Sequence, residues 1–406
     1  MQTAGAHVDS RRMAVRDSVA FAVWSTLVLA MIFLQKLGFT VGDASVGLDW
    51  LLVWGGYGLL LLLGVARFQQ RELLGFLALV FIMLAGQALI GASSRPSAIA
   101  LLLLAYAPFA IQVRVSDETF RRCLAVFQGA MAVIAVVVIM QQIAQYSIGS
   151  AYWPNLDRLL PSDLLYPGFA YLRPYSWDPQ HLTPNGIVFL EPSVLSYYLA
   201  LSIAIELTIL GRIGHLGLYL AALLACLAVT GPAALALASP FLLPRLQPNV
   251  RRALLALIVP VAVAAVFGTF HSILGRSGEL TASNSSGYAR IVVPLLSILD
   301  QAMHDPNLLL GHGAGSSPRV LNGVQWPFSK LMFEYGLIVA LLFHAFLASC
   351  VFAERRSREV MFVALIPYLF FGGGVVSHAS VMPLLLLGSL LKVEEQSVAI
   401  ASVQRP

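Results

Sequence analysis

Three arginines and a histidine in the polar stretches of this sequence are of the types that bind a phosphate and take up a proton. Arg173, Arg290 and Arg319 each present a planar fork of donors that matches a pair of phosphate oxygens. The alternative for each is an interfacial arginine reaching to lipid headgroups. His312 stands between glycines in Leu310-Gly-His-Gly-Ala-Gly315. There it is either a general base near neutral pH or a turn histidine touching backbone. Glu191 lies in Leu182-Thr-Pro-Asn-Gly-Ile-Val-Phe-Leu-Glu-Pro-Ser193. Pro184, Asn185 and Gly186 are turn formers, and Glu191-Pro192-Ser193 opens a hydrophobic helix that runs through Tyr197. A carboxylate at the mouth of an apolar helix is costly unless it is paired or used.

Other chemistries are disfavoured. The glycine-histidine run is not a nucleotide fingerprint, because no strand precedes it and no Lys-Ser/Thr follows. No two histidines have metal-ligand spacing, and no nucleophile elbow is present. Cys123, Cys226 and Cys350 lie in or beside apolar segments without paired spacing, which supports neither a disulfide framework nor a zinc site. Neither a metal nor an organic cofactor is expected.

The elements that hold these groups are membrane helices. Of 406 residues, 58% are hydrophobic and 11% charged, under half of the roughly 25% charge of soluble domains. A span needs about 20 apolar residues. That rule predicts an all-α polytopic membrane protein, one transmembrane domain over 1–406, with twelve helices near 18–38, 46–66, 73–93, 97–113, 121–146, 188–210, 214–230, 232–245, 252–270, 328–352, 359–376 and 379–393. Arg11, Arg12 and Arg16 precede an apolar run long enough to span, so no cleavable signal peptide is expected. Of the 25 lysines and arginines, 17 fall on one side of this layout, the side holding both ends, and 8 on the other. The positive-inside rule then puts both termini in the cytoplasm. The net charge of +5 sits between spans and signals a bilayer rather than nucleic acid.

Two outer loops are long, 147–187 and 271–327, and loops of that length in a compact protein are usually functional or disordered. Four of the eight histidines (181, 271, 304, 312) fall in them. In the second, Ser283-Asn-Ser-Ser-Gly-Tyr-Ala-Arg290 caps an apolar helix starting at Ile291. Arg290 would occupy its first turn, the unfavourable end for a cation, which points to an anionic partner. Glu191 and Glu334, each near the outer end of a span, are candidates to pair with an arginine. Glu206 and His344 lie within spans without a partner at helical spacing, which gives little support to a proton path.

Three stretches together resemble the superfamily of O-antigen polymerases (Wzy-type) and O-antigen ligases, bacterial membrane glycosyltransferases. They are Thr183-Pro-Asn-Gly-Ile-Val-Phe-Leu-Glu-Pro-Ser193, Ser286-Gly-Tyr-Ala-Arg290 followed by Leu310-Gly-His-Gly-Ala-Gly315, and Phe333-Glu-Tyr-Gly-Leu-Ile338. The sequence departs from the family pattern in having Thr183 where arginine often precedes Pro-x-Gly, with Arg173 the nearest replacement, and Val339 at a frequent glycine. Gln325-Trp326 occupies the place of the ligases' histidine, which favours a polymerase over a ligase.

The resemblance implies a GT-C-like fold and metal-independent transfer at the periplasmic face of the bacterial inner membrane. An undecaprenyl-diphosphate-linked glycan would be donor and a sugar hydroxyl on another lipid-linked repeat unit acceptor. The product would be O-antigen, capsule or exopolysaccharide, and a chain-length regulator is a possible partner. In that frame Arg290, Arg173 and Arg319 neutralise the diphosphate, and Glu191 or His312 receives the hydroxyl proton. Asn185 belongs to the glycan site, and Trp153, Tyr175, Trp177 and Tyr197 stack on sugars or form an interfacial belt. A flippase or transporter is the reading from another class. It is disfavoured because no repeated halves are visible.

Overall fold

The computed structural model describes residues 2–41, 44–90, 94–113, 115–150, 156–169, 173–174, 180–252, 288–317, 325–352, 357–370 and 375–391. In chain order they form α1 (Gln2–Phe33), β1 (Gly38–Val41), β2 (Ala44–Gly47), α2 (Leu48–Leu62), β3 (Ala66–Phe68), α3 (Gln70–Ile90), α4 (Pro96–Tyr106), β4 (Ile111–Val113), α5 (Asp117–Ile148) and the short α6 (Leu156–Leu159). After the first long loop come α7 (Pro192–Ile205), α8 (Ile213–Cys226), α9 (Thr230–Leu242), α10 (Val293–His304), α11 (Pro327–Phe352), α12 (Arg358–Phe370) and α13 (His378–Leu391). The predicted span at 252–270 and the stretch 271–287 lie outside the described residues.

Among the described residues, five segments are long and apolar enough to cross a membrane: Ala14–Phe33, Gln70–Ile90, Asp117–Ile148, Pro192–Leu210 and Pro327–Phe352. Shorter apolar helices pack against them, Leu48–Leu62 on the first and Ile213–Cys226 on the third and fourth. The chain is thus a helical multi-pass membrane protein, in which these five segments meet the length requirement that the sequence reading applied to twelve. Leu62, Phe81, Leu89 and Leu224 point outward from the bundle, as side chains facing lipid do.

Local sequence explains the element ends. Ser116 caps α5, its hydroxyl accepting from the Thr119 amide, with Asp117 and Glu118 in the first turn. The helix expected over 97–113 stops at Tyr106. Pro108 has no amide to donate, so Ala107–Ala110 tightens to a 3-10 turn and the chain leaves as β4, paired with β3. The helix expected over 18–38 ends at Phe33, where the chain turns into the β1–β2 hairpin.

The connections gather at two opposite ends. At one, the Asp17 carboxylate accepts from the hydroxyls of Ser116 and Thr119, and β3 pairs with β4. There too Arg212 closes on Glu206 (2.5 Å) and Arg245 on Glu359 (3.2 Å). Glu206, fully buried, therefore has an arginine six residues on, reached across a π-turn that Gly211 ends in the left-handed conformation. At the other end meet the β1–β2 hairpin, the first long loop, the Gly311–Gly315 segment and the start of α13.

α7 is the buried centre, with every residue from Leu195 to Ile205 shielded. α9 crosses it so closely that a β-carbon on Gly231 would lie 2.2 Å from the Ser196 carbonyl oxygen. The Gly231 amide donates instead to the Ser196 hydroxyl (2.8 Å).

Candidate active site

The stretch before α7 is fastened from α5. Gln141 accepts from the Gly186 amide and Gln145 from the Leu182 amide, both at 2.9 Å. Gly186 (φ +64°) and Ile187 (φ +70°) turn the chain through the left-handed region. That conformation is easy for the glycine and strained for a β-branched residue. The buried Asn185 side chain accepts from the Ile187 amide (3.0 Å), which offsets part of the cost. The chain arrives at Glu191 extended, and Pro192 starts the helix where a missing amide is harmless.

Glu191 meets Arg290 there. The guanidinium Nη2 lies 2.9 Å from Glu191 Oε2, with 19% of the Arg290 and 13% of the Glu191 side chain exposed. The Ser193 hydroxyl donates to the same carboxylate oxygen (3.0 Å). Arg290 sits in a π-helical turn, Tyr288–Val292, leading into α10. The Trp326 indole N–H donates to the Arg290 carbonyl (2.8 Å) and ties that turn to the foot of α11. The anion expected beside Arg290 is thus Glu191, 99 residues earlier in the chain.

Both residues line a cavity of about 380 Å³ together with Lys330, Tyr197, Tyr166 and Phe169. Its volume falls within the roughly 300–1,000 Å³ of small-molecule sites. Lys330 is 3.9 Å from Glu334 Oε1, which also accepts from the Ser317 hydroxyl (2.5 Å). Glu334 therefore pairs with a lysine rather than with the arginine expected for it. Two cations and one carboxylate facing one cavity can bind a dianion and take up a hydroxyl proton. Burial, and secondarily the Asp49 charge, pushes the Tyr166 phenol up to about 12, so it is un-ionised at neutral pH.

Leu310–Gly315 and Phe333–Ile338 form one unit beside this cavity. Gly336 (φ +84°, ψ +163°) interrupts α11. The released carbonyls of Phe333 and Glu334 accept from the amides of His312 (2.8 Å) and Gly313 (3.0 Å), and Leu337 donates to Leu308 (2.8 Å). Broken helix backbone within a membrane is tolerated where protein buries it, and the glycine segment provides that cover. His312 stacks on Phe333 (4.4 Å) and its Nε2 lies 2.9 Å from Asp305 Oδ2. It is not among the cavity-lining residues.

The residues singled out in the sequence thus divide. Glu191, Arg290 and Tyr197 meet at the cavity, although Tyr197 is buried with its hydroxyl donating to the Ala364 carbonyl (3.1 Å). Asn185 shapes the turn behind them. Arg173 is exposed and does not line the cavity, its carbonyl accepting from the Thr183 amide. Arg319, Trp153, Tyr175 and Trp177 lie outside the described residues. Sequence reasoning passed over Lys330 and Tyr166. The spacing of Lys330 and Glu334, one helical turn apart at the outer end of a span, was the available signal for the lysine.

Comparison with known proteins decides the class. A family model described as WcaD colanic acid polymerase matches residues 25–393, nearly the whole chain. The chain belongs to that family. It is therefore a polysaccharide polymerase of the Wzy type, as the motif resemblance implied, and membership supports polymerase over ligase. No curated protein and no solved structure matches it. Membership in the WcaD family brings with it a lipid-linked oligosaccharide substrate in a membrane, handled by a glycosyltransferase-type enzyme.

Proposed function

We propose that this polymerase joins undecaprenyl-diphosphate-linked repeat units at the periplasmic face of the inner membrane, with Glu191, Arg290 and Lys330 at its reaction centre. The observation that carries this reading is the Glu191–Arg290 pair lining one cavity with Lys330. The acceptor hydroxyl oxygen attacks the anomeric carbon of the donor glycan. The bond from that carbon to the lipid diphosphate breaks, and its electron pair leaves with the diphosphate. Glu191 takes the hydroxyl proton. Arg290 and Lys330 hold the departing charge, which grows as the bond lengthens and so is bound more tightly in the transition state than before it. The incoming diphosphate competes with Glu191 for Arg290, which frees a carboxylate oxygen to face the acceptor. The concentration of basic residues at the opposite end of the molecule supports the periplasmic assignment.

The test is a length-resolved gel of surface polysaccharide from cells carrying Arg290→Ala at normal protein level, with analysis of lipid-linked intermediates. Loss of long chains with single lipid-linked units on the outer leaflet is the expected result. Accumulated full-length lipid-linked polymer would make the protein a ligase, and units trapped on the inner leaflet would make it a transporter. An unchanged ladder removes Arg290 from the mechanism.

A further inference from the structure

Part of the cavity wall is not used by the transfer chemistry. Tyr166 and Phe169 line it, ring centroids 5.8 Å apart and planes at 49°. Tyr166 is half-buried and rests against His378, centroids 4.4 Å apart. His378 Nδ1 in turn lies 3.1 Å from Asp49 Oδ1, each side chain 1% exposed. A buried histidine–aspartate contact with no role in group transfer calls for another function.

The β1–β2 hairpin shows what it holds. Gly38 pairs directly with Gly47, and directly paired residues of antiparallel strands carry their β-carbons on one face. Here that face is bare. A β-carbon on Gly38 would stand 2.7 Å from Tyr166 Cδ2, and one on Gly47 would stand 2.1 Å from His378 Nδ1 and 2.4 Å from Asp49 Oδ1. The two glycines thus open adjoining seats for the tyrosine and for the pair behind it. The Tyr166 amide donates to the Lys36 carbonyl (2.8 Å), which fixes the backbone to the turn leading into the hairpin.

We propose that Tyr166 and Phe169 form a carbohydrate-stacking platform for the repeat unit, with Gly38, Gly47, Asp49 and His378 as positioning residues for Tyr166. The inference rests on the polymerase reading above. A pyranose has a C–H-rich face that packs on an aromatic ring and hydroxyls at its rim. The cavity answers both, with flat rings on this wall and the hydroxyls of Ser45, Ser193, Thr230 and Ser377 around it. A lipid tail needs no such hydroxyls. A sugar laid on Tyr166 shares the cavity with Glu191 and Arg290.

The test uses the full-length protein in liposomes and lipid-linked repeat unit extracted from cells lacking this polymerase. Tyr166→Ala and Phe169→Ala should each raise KM about tenfold with kcat changed less than about threefold. Tyr166→Phe, which keeps the ring, should match the parent. His378→Gln should raise KM in the same direction by a smaller factor, and Tyr166→Phe in that background should not restore it. If Tyr166→Ala does not fold, Tyr166→Leu takes its place, because it keeps bulk without a flat face. An unaltered KM in these variants, or a loss in Tyr166→Phe equal to that in Tyr166→Ala, overturns the platform. Failure of the parent protein to polymerise overturns the polymerase reading instead.

Discussion

Gly336 and Leu309 approach so closely that a β-carbon on Gly336 would lie 2.0 Å from the Leu309 carbonyl oxygen. The same glycine holds φ +84°, ψ +163°, a region essentially closed to other residues. Steric exclusion and backbone strain therefore coincide at one position. Gly336→Ala should lower the thermal midpoint in detergent by at least the equivalent of about 1–3 kcal/mol and abolish polymer. Gly55→Ala, on an exposed helix face with nothing within 4 Å, should leave both unchanged or slightly raise stability. Equal behaviour of the two variants would contradict the packing described here.

Glu191 and Arg290 should be coupled in function. Glu191→Gln keeps shape and removes the proton acceptor, so kcat should fall about 10²–10³-fold with little change in KM. Arg290→Lys keeps charge but loses the fork, and an intermediate loss is expected. The double variant should lose much less than the product of the single losses. Additive losses from a turnover assay would mean the two residues act apart.

Lys330 offers a separate handle. Lys330→Met removes one of two cations from the cavity and preserves most of the side-chain volume. Its kcat should fall about tenfold or more and its thermal midpoint should hold. A midpoint drop without a kinetic change would assign Lys330 to its neighbour Glu334 alone.

His312 is predicted to act through structure. Its contacts are the Asp305 carboxylate, the Phe333 ring and the Phe333 carbonyl. His312→Asn should retain more than roughly a tenth of the parent kcat and leave the pH dependence of turnover unshifted. A thousandfold loss would instead make His312 the proton acceptor.

The distribution of these residues shows what the sequence could reveal. Glu191 was legible because a carboxylate followed by proline at the start of an apolar run is a local anomaly. Arg290 was legible as a cation at the wrong end of a helix. Their pairing was not legible, since it spans 99 residues and depends on how α10 and α7 pack. His378 and Asp49 were invisible for the same reason, being 329 residues apart and each unremarkable among its neighbours. The run of glycines likewise did not disclose which object comes close to it. For the Gly311–Gly315 segment that object is the interrupted α11. The β1–β2 and β3–β4 pairs also escaped, because stretches of three or four residues carry too little periodicity to set against an apolar background.

α5 has 32 residues, which at about 1.5 Å per residue is roughly 48 Å, against a hydrocarbon layer of about 30 Å. Gln141 and Gln145 stand near its far end, at about the edge of that layer for an upright, centred helix. These two glutamines grip the turn that delivers Glu191. On the proposed mechanism the helix acts as a depth gauge that sets the reaction centre at the level of the headgroups. A diphosphate on a lipid anchor can enter at that level sideways, with its tail still in the bilayer and its sugars already in water.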